Sequence, residues 1–376
     1  MIIGSVKETV EPRVSIVPST TKKLLAIAGT TVLIEDTITS LYSNDEYTDA
    51  GAQLQTRDYI LKNSDILLLV NSLPLEDLDL LKKGCTVISH MDPYNNKDYI
   101  DKLALNNITS ISMEMIPRST IAQKMDSLSS QASLAGYVAV LQGANLMNKI
   151  FPMMMTPSGT ISPAKVFIIG VGVAGLQAIA TAKRLGAKVE AFDTRPVVEE
   201  QVQSLGAKFL KIDLGEMSQT KDGYAKELTK EQLDLQQAAM EKACASADLV
   251  ITTAKVFGKK APTLVTNSMI SKMKPGSVIV DLAAGTGGNV EGTIVDEITD
   301  IHGVKVVGID NLAGLVPLDA SIMYSNNLYN LLLHFYNKDT NTITIDNDEI
   351  SSSSIITKNG SIVNERISQF YGKVDK

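Results

Sequence analysis

The run Gly170-Val-Gly172-Val-Ala-Gly175 follows the apolar stretch Val166-Phe-Ile-Ile169, and Asp193 closes the next apolar stretch at about the twenty-residue spacing of a dinucleotide-binding unit. Each glycine has its own task there: Gly170 for the tight turn, Gly172 for backbone approach to a pyrophosphate, Gly175 for close packing of the following helix. The phosphates would then sit on that helix's N-terminus. Asp193 would accept hydrogen bonds from both ribose hydroxyls and repel a 2′-phosphate, favouring NAD(H) over NADP(H), with Arg195 two residues on tempering that preference. A second constellation, Arg118, Gln123, Asp126 and Ser129, offers a guanidinium, an amide, a carboxylate and a hydroxyl in one short stretch. These groups suit a nicotinamide carboxamide and its adjoining phosphates; none transfers protons well at neutral pH without strong tuning. Alone, the same stretch also reads as a loop entering a helix capped by Asp126 or Ser127, with Arg118 on the surface.

Positioning these groups needs two α/β frameworks, which 376 residues allow. Ahead of the glycines, strands are expected at residues 2–6, 31–34, 66–70, 86–89 and 109–112, with helices such as 20–28 and 97–105 between them. This is a doubly wound pattern without a glycine fingerprint. Around and after the glycines come strands 166–169, 188–192, 208–212, 249–253, 277–282 and 305–309, with a helix over 176–185. A helix over 321–335 and a hairpin at Asn359-Gly360 then return to the first framework. The fold class is therefore α/β, with two doubly wound Rossmann-like domains flanking a cleft that would hold the cofactor. Their expected bounds are 1–135 with 312–376, and 136–311.

Composition removes several function classes. The net charge is −7 with no basic cluster, against nucleic acid as a partner. Cys85 and Cys244 make no pair pattern and imply a reducing compartment, and three scattered histidines offer no metal-ligand spacing, so no metal is expected. The first residues read as a strand, not an export signal. Residues 127–148 carry no charge but too many polar side chains for lipid, and suit a buried helix between domains. Residues 213–229 form a polar connection far longer than α/β loops usually are. Gly223 beside Tyr224 makes that connection either a mobile lid over a bound base or a solvated insert.

Taken together, these segments resemble the NAD(H)-binding domain I of proton-translocating nicotinamide nucleotide transhydrogenase, in the form of a separate subunit. The resemblance runs through Glu11-Pro-Arg13-Val-Ser-Ile-Val-Pro18, the block from Arg118 to Tyr137, the glycine turn, Ala191-Phe-Asp-Thr-Arg-Pro196, Gly223-Tyr-Ala-Lys226, Thr252-Thr-Ala-Lys-Val-Phe-Gly258 and Val280-Asp-Leu-Ala-Ala-Gly-Thr-Gly-Gly-Asn289. It implies that Arg118, Gln123, Asp126 and Ser129 position the dihydronicotinamide. It implies that Gly170, Gly172, Val173, Gly175 and Ala254 contact the cofactor, that Asp193, Thr194 and Arg195 hold the adenosine ribose, and that Gly223 and Tyr224 lie on a closing lid. It further implies direct hydride transfer between NADH and NADP⁺ held on an NADP(H)-binding partner subunit, a homodimer, membrane-spanning partner chains that move the proton, and a cytoplasmic placement, peripheral on the inner face of the membrane, without a span of its own.

Alanine dehydrogenase shares several of these segments but departs where its chemistry lies. That family uses a lysine near the end of an N-domain strand, a histidine in the next strand's loop and an aspartate before a double glycine. Here residues 67–77 contain no lysine, Asp92 stands where the histidine aligns with His90 two residues early, and Gly285 precedes the double glycine. A third reading, a non-catalytic NAD-sensing module, is separable by whether neighbouring genes encode membrane-spanning and NADP-binding subunits.

Overall fold

The structure is a computed structural model that describes residues 1–27, 29–212, 229–340, 342–345 and 348–374. It divides into two compact units, residues 1–131 with 316–376, and residues 132–315.

The first unit opens with strands β1 (Ile2–Ser5), β2 (Thr31–Glu35), β3 (Gln53–Gln55), β4 (Ile66–Leu68), β5 (Thr86–Ser89) and β6 (Thr109–Ser112). Helices α1 (Pro18–Leu25), α2 (Asn44–Asp49), α3 (Arg57–Asn63) and α4 (Lys97–Leu105) connect them, and α5 (Ser127–Leu146) carries the chain out. Helix starts follow local chemistry: Pro18 opens α1, Ser43 and Glu46 make a reciprocal capping box on α2, and Thr56 caps α3.

The second unit contains a hairpin β7 (Met154–Thr156) and β8 (Gly159–Ile161), then β9 (Lys165–Ile169), α6 (Val173–Arg184), β10 (Lys188–Phe192), α7 (Glu199–Ser204) and β11 (Lys208–Phe209). It continues through α8 (Lys230–Ser246), β12 (Leu249–Thr252), α9 (Asn267–Ile270), β13 (Val278–Asp281), β14 (Ile298–Ile301) and β15 (Val304–Val307). The chain returns to the first unit with α10 (Pro317–Phe335), the short pair β16 (Tyr336–Asn337) and β17 (Thr342–Ile343), α11 (Glu349–Ser354), β18 (Ile355–Lys358), β19 (Ser361–Ile362) and α12 (Glu365–Val374).

The first sheet runs β19-β18-β6-β5-β4-β1-β2-β3, with β1 to β6 parallel and β18 antiparallel to β6. Period-two alternation sends Val32, Ile34, Ile66 and Leu68 to one buried face and Leu33, Leu67 and Leu69 to the other, so both faces are covered. The second sheet runs β11-β10-β9-β12-β13-β15-β14, parallel except for β14 at its edge. In each sheet the winding reverses beside its first long strand, between β1 and β4 and between β9 and β12. That is the switch point at which open α/β sheets bind ligands.

The α/β class and the two Rossmann-like sheets match the reading of the sequence, as does the hairpin turn, where Asn359 and Gly360 take positive φ of 52° and 77°. Helix α6 begins three residues earlier than expected, directly on the glycine turn, and β11 is shorter. Gln53–Gln55, the β7–β8 hairpin and β14 have no counterpart among the expected strands; all three are short with exposed residues, without the continuous apolar run of a buried parallel strand. Among the described residues no helix is long and apolar enough to cross a membrane.

Candidate functional site

Strand β9 is buried from Val166 to Ile169, and the chain leaves it through Gly170 at φ 96°. A side chain at Gly170 would meet the Thr253 hydroxyl at 2.5 Å, and Thr253 Oγ1 donates to the Gly170 carbonyl at 2.9 Å. The turn is thereby sewn to the residue just beyond β12, across the switch point. A Cβ on Gly175 would stand 2.0 Å from the Gly170 carbonyl oxygen, so α6 packs directly on the turn that precedes it. Gly172 differs from both: it precedes α6 in an extended conformation, and among the described residues a Cβ there would meet nothing within 4 Å. Space lies open in front of that backbone, at a helix end whose first N–H groups lack intrahelical acceptors and favour an anion. Val173, the first residue of α6, is exposed.

Asp193 ends β10 and turns back under the glycines. Its Oδ2 accepts from the Val171 N–H at 2.8 Å, and its Oδ1 accepts from the Arg195 N–H at 2.8 Å. The Arg195 side chain completes a fork, Nε to Oδ1 at 2.9 Å and Nη2 to Oδ2 at 3.0 Å. Thr194 between them is half-buried.

The far side of the switch point is held by two residues to which the sequence alone assigns no role. Asn289 is fully buried; its Oδ1 accepts from the Ala254 N–H at 3.0 Å, and its Nδ2 donates to the carbonyls of Ala254 at 3.0 Å and Pro262 at 2.9 Å. Asp281, also fully buried at the end of β13, accepts from the Thr252 hydroxyl, the N–H groups of Ala283, Asn289 and Val290, and the Thr293 hydroxyl. Five donors satisfy this buried carboxyl group. Their signal in the sequence is an acid inside an apolar strand followed by glycines and an asparagine. Beside them, the space that a side chain at Gly285 would occupy is taken by the Asp310 carboxylate, 2.2 Å from the position of a Cβ.

In the first unit, a short helical turn at Ala122–Met125 leads from the exposed Arg118 and Gln123 into α5. Asp126 accepts from the Ser129 N–H at 2.9 Å and the Ser129 hydroxyl at 2.6 Å. The capping reading of Asp126 is therefore realised, and the same bonds fix the Ser129 side chain. Ser127 bonds His90 Nε2 at 2.8 Å, and His90 packs on Tyr324 with ring centroids 5.1 Å apart. Gln131 is buried, accepting from Arg13 Nη1 at 2.7 Å and donating to the Ala320 carbonyl, while Arg13 pairs with Glu11. Nearby, Glu114 accepts from the N–H groups of Met91 and Asp92 and from the Ser112 hydroxyl; burial nonetheless raises its pKa.

The structure thus brings Gly170, Gly172, Val173, Gly175, Asp193, Arg195 and Ala254 to the C-terminal ends of β9, β10 and β12 in the second sheet, and joins Asp126 to Ser129 in the first unit. Gly223 and Tyr224 lie outside the described residues. Cys85 and Cys244 are buried, and burial pushes both thiols up to about 12, which leaves them unreactive. Among the described residues no cluster of His, Cys, Asp and Glu is arranged to hold a metal.

A glycine turn at the switch point of a doubly wound sheet, with an acid closing the neighbouring strand, defines a dinucleotide-binding protein of the Rossmann class. The residues fit that ligand: Gly172 leaves room for it, and the helix end and Asp193 supply complementary donors and acceptors. Residues 4–135 match the alanine dehydrogenase/PNT N-terminal domain and residues 139–365 its C-terminal domain, so the chain belongs to the alanine dehydrogenase/PNT family. It is 43% identical to the first of the alpha-subunit chains of NAD(P) transhydrogenase from Rickettsia prowazekii, over 100% of this chain and 99% of that protein. The crystal structure of transhydrogenase from Sinorhizobium meliloti superposes with a TM-score of 0.86 at 39% identity, covering 97% of this chain and 100% of the other. Alanine dehydrogenase of Bacillus subtilis is 28% identical over 99% of this chain and 95% of its own.

Proposed function

We propose that this chain is the NAD(H)-binding subunit of a proton-translocating NAD(P) transhydrogenase, active with partner subunits that hold NADP(H) and span the membrane. The observation that carries the reading is the sewn glycine turn, Gly170 to Thr253 and Gly175 to Gly170, beside Asp193. The similarity to transhydrogenase alpha subunits, well above that to alanine dehydrogenase, supports this reaction within the family. Gly285, with no side chain before the double glycine, supports the same choice.

Bound NADH would supply a hydride that passes directly to NADP⁺ on the partner. No proton changes hands in such a transfer, so this chain's work is binding and orientation. The turn and the start of α6 hold the pyrophosphate; Asp193 and Thr194 hold the adenosine ribose, at the subsite where Arg195 also stands. Arg118, Gln123, Asp126 and Ser129 position the nicotinamide, the last two as a unit because the Asp126 carboxylate fixes the Ser129 hydroxyl. The subunit pairs with a second copy of itself and docks at the inner face of the membrane.

The decisive experiment mixes this protein with an NADP-binding partner domain and follows NADH-driven reduction of an NADP⁺ analogue with a shifted absorbance. Direct transfer is expected; turnover of NAD⁺ with L-alanine instead would refute the reading. Within it, Asp126→Asn keeps a capping oxygen but loses charge, so it should lower the hydride-transfer rate roughly tenfold and leave the NADH dissociation constant within about twofold. The reverse pattern would show that Asp126 serves binding.

A further inference from the structure

While the Arg195 side chain is bound to it, Asp193 offers no free acceptor position to a ribose. A carboxylate offers about four lone-pair positions. Oδ1 accepts from the Arg195 N–H (2.8 Å) and Arg195 Nε (2.9 Å), and Oδ2 accepts from the Val171 N–H (2.8 Å) and Arg195 Nη2 (3.0 Å). Two of these donors are main-chain groups fixed by the turn. The other two belong to one side chain and leave together. Two departing N–H groups match the two hydroxyls of an adenosine ribose in number and in direction of bonding.

We propose that Arg195 is a displaceable latch on the adenosine-ribose subsite, competing with the cofactor for Asp193 and setting both affinity and cofactor preference. The inference rests on the NAD(H) reading above. Asp193's side chain is 8% exposed and that of Arg195 34%, so the guanidinium is the solvent-facing lid of a nearly covered carboxylate. The exposed side of the guanidinium gives it room to swing into solvent when a ribose takes its place. Arg195 Nη2 also donates to the Val171 carbonyl at 3.2 Å, so its departure releases an acceptor on the turn as well. Once displaced, the guanidinium remains two residues from Asp193, where it offsets the repulsion that the carboxylate exerts on a 2′-phosphate. One residue thus weakens NAD(H) binding and softens discrimination against NADP(H).

The test measures dissociation constants for NADH, NADPH and an NADH analogue lacking the adenosine 2′-hydroxyl, on full-length wild type, Arg195→Gln and Arg195→Lys. Without tryptophan in the chain, NADH emission is read against tyrosine alone. Arg195→Gln should bind NADH about three- to tenfold more tightly, the scale of one or two displaced hydrogen bonds. It should bind NADPH more weakly, and gain less with the 2′-deoxy analogue because fewer hydroxyls use the freed positions. Arg195→Lys, a cation without the two-pronged fork, should fall between. Unchanged or weakened NADH binding by Arg195→Gln, or an equal gain with the 2′-deoxy analogue, would overturn the latch and leave the NAD(H) site standing. Failure of the wild type to bind NADH at all would overturn the site itself.

Discussion

The two units share a strand plan and differ at its switch point. In the second, the chain leaves β9 through Gly170-Val171-Gly172 and keeps open backbone in front of α6. In the first, the chain leaves β1 through Val6-Lys7-Glu8, and Glu8 reaches across to the end of β4. There its carboxylate accepts from the N–H groups of Val70 at 2.7 Å and Asn71 at 3.2 Å. The main-chain donors that an anionic ligand would use are occupied by the chain's own acid. The cavity left beside Glu8 and Asn71 has a volume of about 10 Å³, room for a water and nothing larger. Topology gives both units a place for a ligand; the residues of the first turn decide which unit keeps it.

Each switch point also has a clamp across it, neutral in one unit and ionisable in the other. Asn289 holds Ala254 and Pro262 with three hydrogen bonds. Asn289→Ala would remove all three hydrogen bonds to Ala254 and Pro262, a loss of roughly 3 kcal/mol that should not vary with pH. Urea unfolding across pH 5–8 checks it. A loss below about 1 kcal/mol would show the loop after β12 to be held by other means.

Glu8 should behave in the opposite way. Burial pushes its pKa up to about 7, with the neighbouring Glu11 adding to the shift and the N–H groups of Val70 and Asn71 resisting it. Arg13 lies against Glu11, and Asn71 bonds both acids. A carboxyl whose pKa is raised on folding binds its proton more tightly in the folded state. Its contribution is complete below the unfolded value of about 4.5 and is lost as pH rises through about 7, by some 3 kcal/mol at most. Glu8→Gln removes the titration, so its stability relative to wild type should climb by that amount between pH 4.5 and 7.5. Acids with lowered pKa values, such as Asp65 and Asp248, act in both proteins and cancel. A difference flat with pH would mean that Glu8 is ionised throughout.

The contrast also explains what can be read from the sequence. The glycine turn and Asp193 work through neighbours in the chain, so spacing alone exposes them. The parallel strands are legible as apolar runs for the same reason. The clamps are contacts between distant residues, Asn289 to Ala254 across 35 positions and Glu8 to Val70 across 62, and leave no local periodicity. The uncharged helix α5 reads as buried and is only partly so, with Tyr137 exposed, and its glycines are not explained by composition. A Cβ on Gly136 would stand 2.2 Å from the Ala174 carbonyl oxygen, and one on Gly143 2.5 Å from the Leu249 side chain. The role of Asp126 stays open in the sequence between cap and ligand because an aspartate before a helix suits both.

The smallest expected effect on stability separates fold from function within the turn itself. Gly175→Ala drives a methyl into the Gly170 carbonyl, a backbone atom that cannot step aside, and should cost about 2 kcal/mol. Much of NADH binding should go with it, since the turn must open to admit the methyl. Gly172→Ala meets no atom of the described residues within 4 Å and sits at φ −85°, where alanine is unstrained. Its stability should lie within about 0.5 kcal/mol of wild type. The space the methyl enters is the approach to the first N–H groups of α6, so NADH affinity should still fall roughly tenfold. Equal losses of stability in the two variants would make Gly172 a packing glycine like Gly175. An unchanged NADH affinity in Gly172→Ala would move the pyrophosphate off this turn and remove the distinction between the two switch points.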